Sequence, residues 1–85
     1  MMFEVVEFRN CDDEICSGEK ETVLFQHNAI EECRAFMLRF WTDSPAYAGS
    51  EHFPNDKNRM NVLLFHPLVE GKYDKRKLRV QEVNE

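Results

Sequence analysis

The chain has 85 residues, 42% hydrophobic and 32% charged, with a formal net charge of -5. That is one domain, residues 1–85, near the lower size at which a chain buries an adequate core. Its acidity excludes nucleic-acid binding driven by net charge, and no segment approaches the roughly 18 to 20 apolar residues of a membrane span.

Phe3 to Phe8 (FEVVEF) is a short β-type run, and Thr22 to Gln26 (TVLFQ) is a second. Their spacing predicts a hairpin across Asn10 to Glu21. Asn28 to Trp41 (NAIEECRAFMLRFW) then reads as a helix. Asn28 is a good N-cap, with Glu31 placed to complete a capping box. Ile30, Cys33, Phe36, Met37, Phe40 and Trp41 form one apolar stripe at three-to-four spacing. Asp43-Ser44-Pro45 ends the helix, because a residue before proline disfavours the helical region. A helix this short does not hold in water alone, so the stripe must pack on something.

The stretch from Asp43 to Arg59 reads as a long polar loop, with a short helical turn at Ser44-Pro45. Met60 to His66 (MNVLLFH) is a third strand, and Lys77 to Val83 (KLRVQEV) a fourth, with Leu78 and Val80 on one face. A hairpin across Pro67 to Arg76 joins them. The expected fold is α+β, in the order β-β-α-β-β, with one helix packed on an antiparallel sheet. Val6, Phe8, Leu24, Leu63 and Phe65 cannot all face the helix under strict alternation. The far face therefore needs a cover, either the long loop or a second copy of the chain in a homodimer.

The start, MMFEVVEF, has neither the basic residues nor the apolar core of a secretion signal. Cys11, Cys16 and Cys33 are odd in number, which points to reduced thiols and a cytoplasmic location. Neither a repeat nor a low-complexity tract is present.

Candidate sites are few. Asp12, Asp13 and Glu14 are consecutive acids between Cys11 and Cys16. Adjacent acids lack the spaced oxygens and glycine turn of a hard-ion loop, and C-x4-C is not the usual zinc spacing. A solvated hairpin loop is the plain reading, and no metal or cofactor is expected. A basic partner surface is the other use for such acids. Cys33 lies on the apolar stripe, where core packing outweighs a nucleophile reading. His27, His52 and His66 form no ligand spacing. With no nucleophile elbow or phosphate loop either, no enzyme activity is expected. Tyr47, His52 and Phe53 sit in the long polar stretch and either fold back over the core edge or anchor a partner.

The basic stretch Gly71 to Arg79 (GKYDKRKLR) carries Lys72, Lys75, Arg76, Lys77 and Arg79, with Tyr73 as a stacking face. It suits a phosphate backbone, or else it is a solvated turn whose lysines discourage edge pairing. Charge is uneven along the chain: residues 1–56 hold twelve acidic against four basic residues, and residues 57–85 four against seven.

In length, reduced cysteines and lack of catalytic signature the chain resembles the small acidic α+β proteins often encoded by phages and mobile elements. The acidic first half, the aromatic long stretch and the lack of an active-site constellation point to a non-enzymatic protein-binding module, an inhibitor or adaptor of a larger host protein. Tyr47, His52 and Phe53 would anchor it, and Asp12, Asp13 and Glu14 would steer it. The alternative is a nucleic-acid-binding regulator using Lys72, Tyr73, Lys75, Arg76, Lys77 and Arg79.

Overall fold

The computed structural model describes residues 1–11 and 18–83, and the side chains of all but 10, 11 and 18–20 among them. Strand β1 (Met2–Cys11) pairs with β2 (Gly18–His27), the helix α1 (Ile30–Arg39) follows, and β3 (Tyr47–Phe53), β4 (Asp56–Phe65) and β5 (Tyr73–Val83) complete the chain. All described pairings are antiparallel. The described strands form one sheet in the order β2-β1-β5-β4-β3, so β1 and β5 meet at its centre although they lie at opposite ends of the chain. The fold is α+β, with one helix on an antiparallel sheet, as the hydrophobic pattern implied.

One strand is new. The stretch from Asp43 to Arg59 is not a loop: it holds a turn, all of β3 and the first four residues of β4. Tyr-Ala-Gly-Ser-Glu-His-Phe has little β propensity, and none of its side chains is fully buried. An edge strand needs only a backbone partner, and β4 supplies it. Ser44-Pro45 makes the turn that leads in. Ser44 Oγ accepts from the Ala46 amide at 3.2 Å, and the Ser44 carbonyl accepts from the Tyr47 amide at 3.0 Å. Pro54-Asn55 makes the two-residue turn between β3 and β4, with proline where a fixed φ suits the first corner.

The helix begins later than its sequence suggests. Asn28 is not the cap. β2 runs on to His27, Ala29 takes the cap position, and no side chain caps the helix from there. His27 instead accepts the Ala29 amide on Nδ1 at 2.9 Å. Glu31, freed from a capping box, pairs with Arg34 at 2.7 Å, and Arg34 Nε donates to Asn58 Oδ1 on β4 at 2.8 Å. That bond ties the exposed side of the helix to the sheet.

The core lies between helix and sheet. Cys33 and Met37 meet Val5 of β1, Met60, Val62 and Leu64 of β4, and Leu78 and Val80 of β5. Ile30, Phe36 and Trp41 pack at the margin, so the predicted stripe faces the core, while Phe40 is partly exposed. Burial pushes the Cys33 thiol above its ordinary value of 9.0, against a smaller lowering from a backbone hydrogen bond at His27. It is a core side chain. A bulge in β2 puts Leu24 and Phe25 both against the core, which resolves one of the alternation conflicts. The Phe25 ring stacks on Phe36 at 4.5 Å and 8°. Among the described residues no helix is long and apolar enough to cross a membrane.

Candidate nucleic-acid interface

Register decides what the other face of the sheet carries. Met60 pairs with Leu78, Val62 with Arg76 and Leu64 with Asp74, all on the helix side. The residues between them point away. Arg59 therefore sits opposite Arg79, Asn61 opposite Lys77, Leu63 opposite Lys75 and Phe65 opposite Tyr73. From β1, Val6 lies beside Arg79 and Phe8 beside Lys77. Val6, Phe8, Leu63 and Phe65, the apolar residues left over by alternation, thus belong to this open face. Val6 is nevertheless fully buried, while Phe65, Lys75, Lys77 and Arg79 are exposed, so this face is open around β4 and β5 and closed at Val6.

The open face is built around cations. Lys75, Lys77 and Arg79 form a row along the central part of β5, about 13 Å long from the strand rise. Arg59 adds a fourth charge from β4. Three acids share the face: Glu21 on one edge strand, Glu51 on the other, and Glu4 on β1 opposite Gln81, beside the row. Glu51 accepts from Asn61 at 3.1 Å and lies 3.7 Å from Lys75. Among the described residues no carboxylate pairs with Lys77.

Two of the cations lie over aromatic rings. The Arg79 guanidinium sits 4.7 Å from the Phe8 ring centre, and that of Arg59 sits 4.2 Å from Phe53. Each is steadied from the side. Arg79 donates to Gln81 Oε1 at 2.9 Å, and Gln81 in turn donates to Glu4 Oε1 at 2.6 Å. Arg59 lies 3.2 Å from the Asp56 carboxylate. A shallow groove of about 400 Å³ runs over this surface, with Phe8, Phe53, Arg59, Asn61, Lys77 and Arg79 among its walls. Tyr73 and Phe65 meet in a tilted pair, ring centres 5.6 Å apart, toward one end.

Of the six residues read as a basic hairpin, four share this face: Tyr73, Lys75, Lys77 and Arg79. Lys72 stays in the turn. Arg76 is corrected. It points to the helix side, 3.8 Å from Glu7, with its guanidinium 6.0 Å from the Trp41 ring. Trp41 Nε1 donates to the same Glu7 carboxylate at 2.8 Å. The cause is alternation: Arg76 has the parity of Leu78 and Val80. The turn itself is held by His66, whose Nδ1 accepts the amides of Leu68 and Val69 at 3.1 and 3.0 Å. Gly71 takes a φ of +83°, which L side chains avoid. Arg59, Phe8 and Asn61 were missed because they come from other strands. The only sequence signal for them was their outward parity.

The other sequence-read residues scatter. Tyr47 packs against the core, and its hydroxyl donates to Ser50 Oγ at 3.1 Å. Ser50 Oγ lies 3.1 Å from His52 Nε2. Tyr47 therefore covers the core edge, while His52 and Phe53 line a second groove beside the helix, with Arg34, Leu38 and Pro54. Asp12, Asp13, Glu14 and Cys16 lie outside the described residues, and of Cys11 only the backbone is described. Among the described residues no three His, Cys, Asp or Glu side chains gather as metal ligands would. No protein-family model matches the chain, and no curated protein or solved structure is similar to it.

Proposed function

We propose that the protein binds nucleic acid on the open face of its sheet. The observation that carries this reading is the row Lys75, Lys77 and Arg79, joined by Arg59, on a surface that also presents aromatic rings. Phosphate contacts supply most nucleic-acid affinity, and they need cations close together on an accessible surface. The net charge of -5 opposes long-range attraction. At about 0.1 M salt, however, fields are screened beyond roughly 10 Å, so local charge governs contact. Glu31, Glu32 and Asp43 belong to the helix and its C-terminal turn, across the sheet from these cations, whereas Glu4, Glu21 and Glu51 share their face.

The test is binding of a fluorescent single-stranded oligonucleotide across a salt series. Four phosphate contacts predict a log–log slope of about -3. The variant K75A/K77A/R79A should flatten that slope and lose most of the affinity. An absence of binding at low salt would sink the reading.

A second reading, a non-enzymatic protein-binding module acting as an inhibitor or adaptor, is favoured by the groove beside the helix. Leu38 is 47% exposed there, next to His52, Phe53 and Pro54. Exposed apolar side chains with an aromatic neighbour suit a protein anchor. Under this reading one protein partner should be retained stoichiometrically after nuclease treatment and be lost with Leu38→Glu. Retention unaffected by that change would remove the groove from consideration.

A further inference from the structure

The two rings beneath the cations carry an inference about the form of nucleic acid; it rests on the reading just proposed. A guanidinium centred over a ring occupies the face on which another flat group could stack. Phe8 presents such a face on the open side of the sheet and Phe53 at its edge, where it borders both grooves, at 4.7 and 4.2 Å from their cations. Both rings, both guanidinium groups and Lys77 line the same groove.

We propose that Phe8 and Phe53 are stacking platforms for the bases of a single strand, and that Arg79 and Arg59 are their displaceable caps. On binding, each guanidinium leaves its ring for a phosphate oxygen and a base takes its place. Three observations favour the exchange. The caps are held by side chains rather than backbone, Gln81 for Arg79 and Asp56 for Arg59. The Arg59 side chain is itself half exposed, so it swings out without disturbing the core. The rings are half-buried, and a guanidinium on the open part of such a ring is a weaker contact than a stacked base, while a freed arginine gains a charged partner.

The geometry selects a single strand over a duplex. Bases in a duplex are stacked on each other and offer no free face, whereas unpaired bases can be splayed onto aromatic side chains. Phe8 and Phe53 lie on β1 and β3, three inter-strand steps or about 14 Å apart across the sheet, with Phe53 also two residues further along β3 than Glu51, which is level with Phe8. Lys77 and Asn61 stand between them across the sheet. A short strand crossing from one ring to the other would pass its phosphates over Lys77. Asn61, whose Nδ2 already donates to Glu51, keeps its Oδ1 and a second N–H for a base edge.

The test compares ligands of equal charge on the full chain. A short oligothymidylate and an abasic deoxyribose-phosphate strand of the same length are titrated by fluorescence anisotropy at fixed salt. Stacking predicts that the base-bearing strand binds about tenfold or more tighter. Phe8→Leu and Phe53→Leu should each erase most of that advantage and leave abasic binding unchanged. A 2-aminopurine reporter should lose emission on binding to the native protein and keep it with the variants.

The wild-type comparison needs no variant to fold. Equal affinity for the two strands would overturn the stacking platforms and leave the nucleic-acid reading standing. So would a duplex bound as tightly as the single strand. No binding to either strand, or complete displacement of both by polyglutamate at equal charge, would overturn the reading and the platforms together.

Discussion

On β5, Leu78 and Val80 face the helix and are almost fully buried, while their chain neighbours Lys77 and Arg79 face away and stay exposed. The same strands thus build two surfaces with different duties. On the helix side the apolar side chains of β1, β4 and β5 pack in one cluster with Cys33 and Met37, so shape and volume are constrained. On the open side the long cations lie over rings and beside amides, and their contacts are with solvent as much as with protein. The lesson is that one face holds the fold together while the other is left chemically free. A site can be assembled there without touching the core.

That contrast can be broken most directly at adjacent positions. Leu78→Ala should cost about 3 kcal/mol in denaturant unfolding, because it leaves a cavity in a packed core. Lys77→Ala, one residue away, should fall within about 0.5 kcal/mol of the native protein. Comparable losses at the two positions would mean that the open face is covered in solution, for instance by a second copy of the chain.

Arg76 sharpens the comparison, since it is a cation on the apolar side. It and Glu7 are only 14% and 13% exposed, and Glu7 also holds the Trp41 indole. Arg76→Ala should cost about 2–3 kcal/mol, as it strands a largely buried carboxylate. It should leave oligonucleotide affinity nearly unchanged, whereas Arg79→Ala should do the reverse. Thermal unfolding and anisotropy on the same pair of variants decide whether Arg76 belongs to the site.

A smaller effect is expected at the turn linking β4 and β5. Gly71 has a φ of +83°, and an added Cβ would meet no atom within 4 Å. Gly71→Ala should therefore cost about 1 kcal/mol through backbone strain alone. A neutral result would show that the turn relaxes to another conformation without disturbing the pairing of Phe65 with Tyr73.

The gentlest probe is pH. The buried Cys33 thiol titrates above its ordinary value of 9.0 in the folded chain. Its contribution to stability is complete below that value and declines as the pH rises through the folded-state value. Stability measured between neutral pH and strongly alkaline pH should fall, and Cys33→Ala should lessen the fall. Thiol-specific reagents should modify Cys33 slowly at pH 8 and rapidly once the chain is unfolded. Fast modification of the folded protein at that position would contradict its burial.

Local pattern was enough for much of the fold. The three-to-four spacing of Ile30, Cys33, Phe36 and Met37 identified the helix and its buried stripe. The parity of Leu78 and Val80 named a buried face of β5, and the apolar run MNVLLFH located β4. These readings succeed because burial of apolar surface imposes a period that the residues themselves record.

Tertiary structure alone decided the rest, for reasons of the same kind. β3 carries no hydrophobic period, because an edge strand is held by backbone hydrogen bonds to β4 that any side chains permit. Asn28 lost its capping role because β2 kept its pairing with β1 through His27. Arg76 left the basic group because the register of β5 against β4 turned it toward Glu7 and Trp41. The open face gathers Phe8, Phe53, Arg59 and Arg79 from four strands, and only the order β2-β1-β5-β4-β3 brings them together. Period is local and can be read along a chain, whereas strand neighbours are set by long-range pairing.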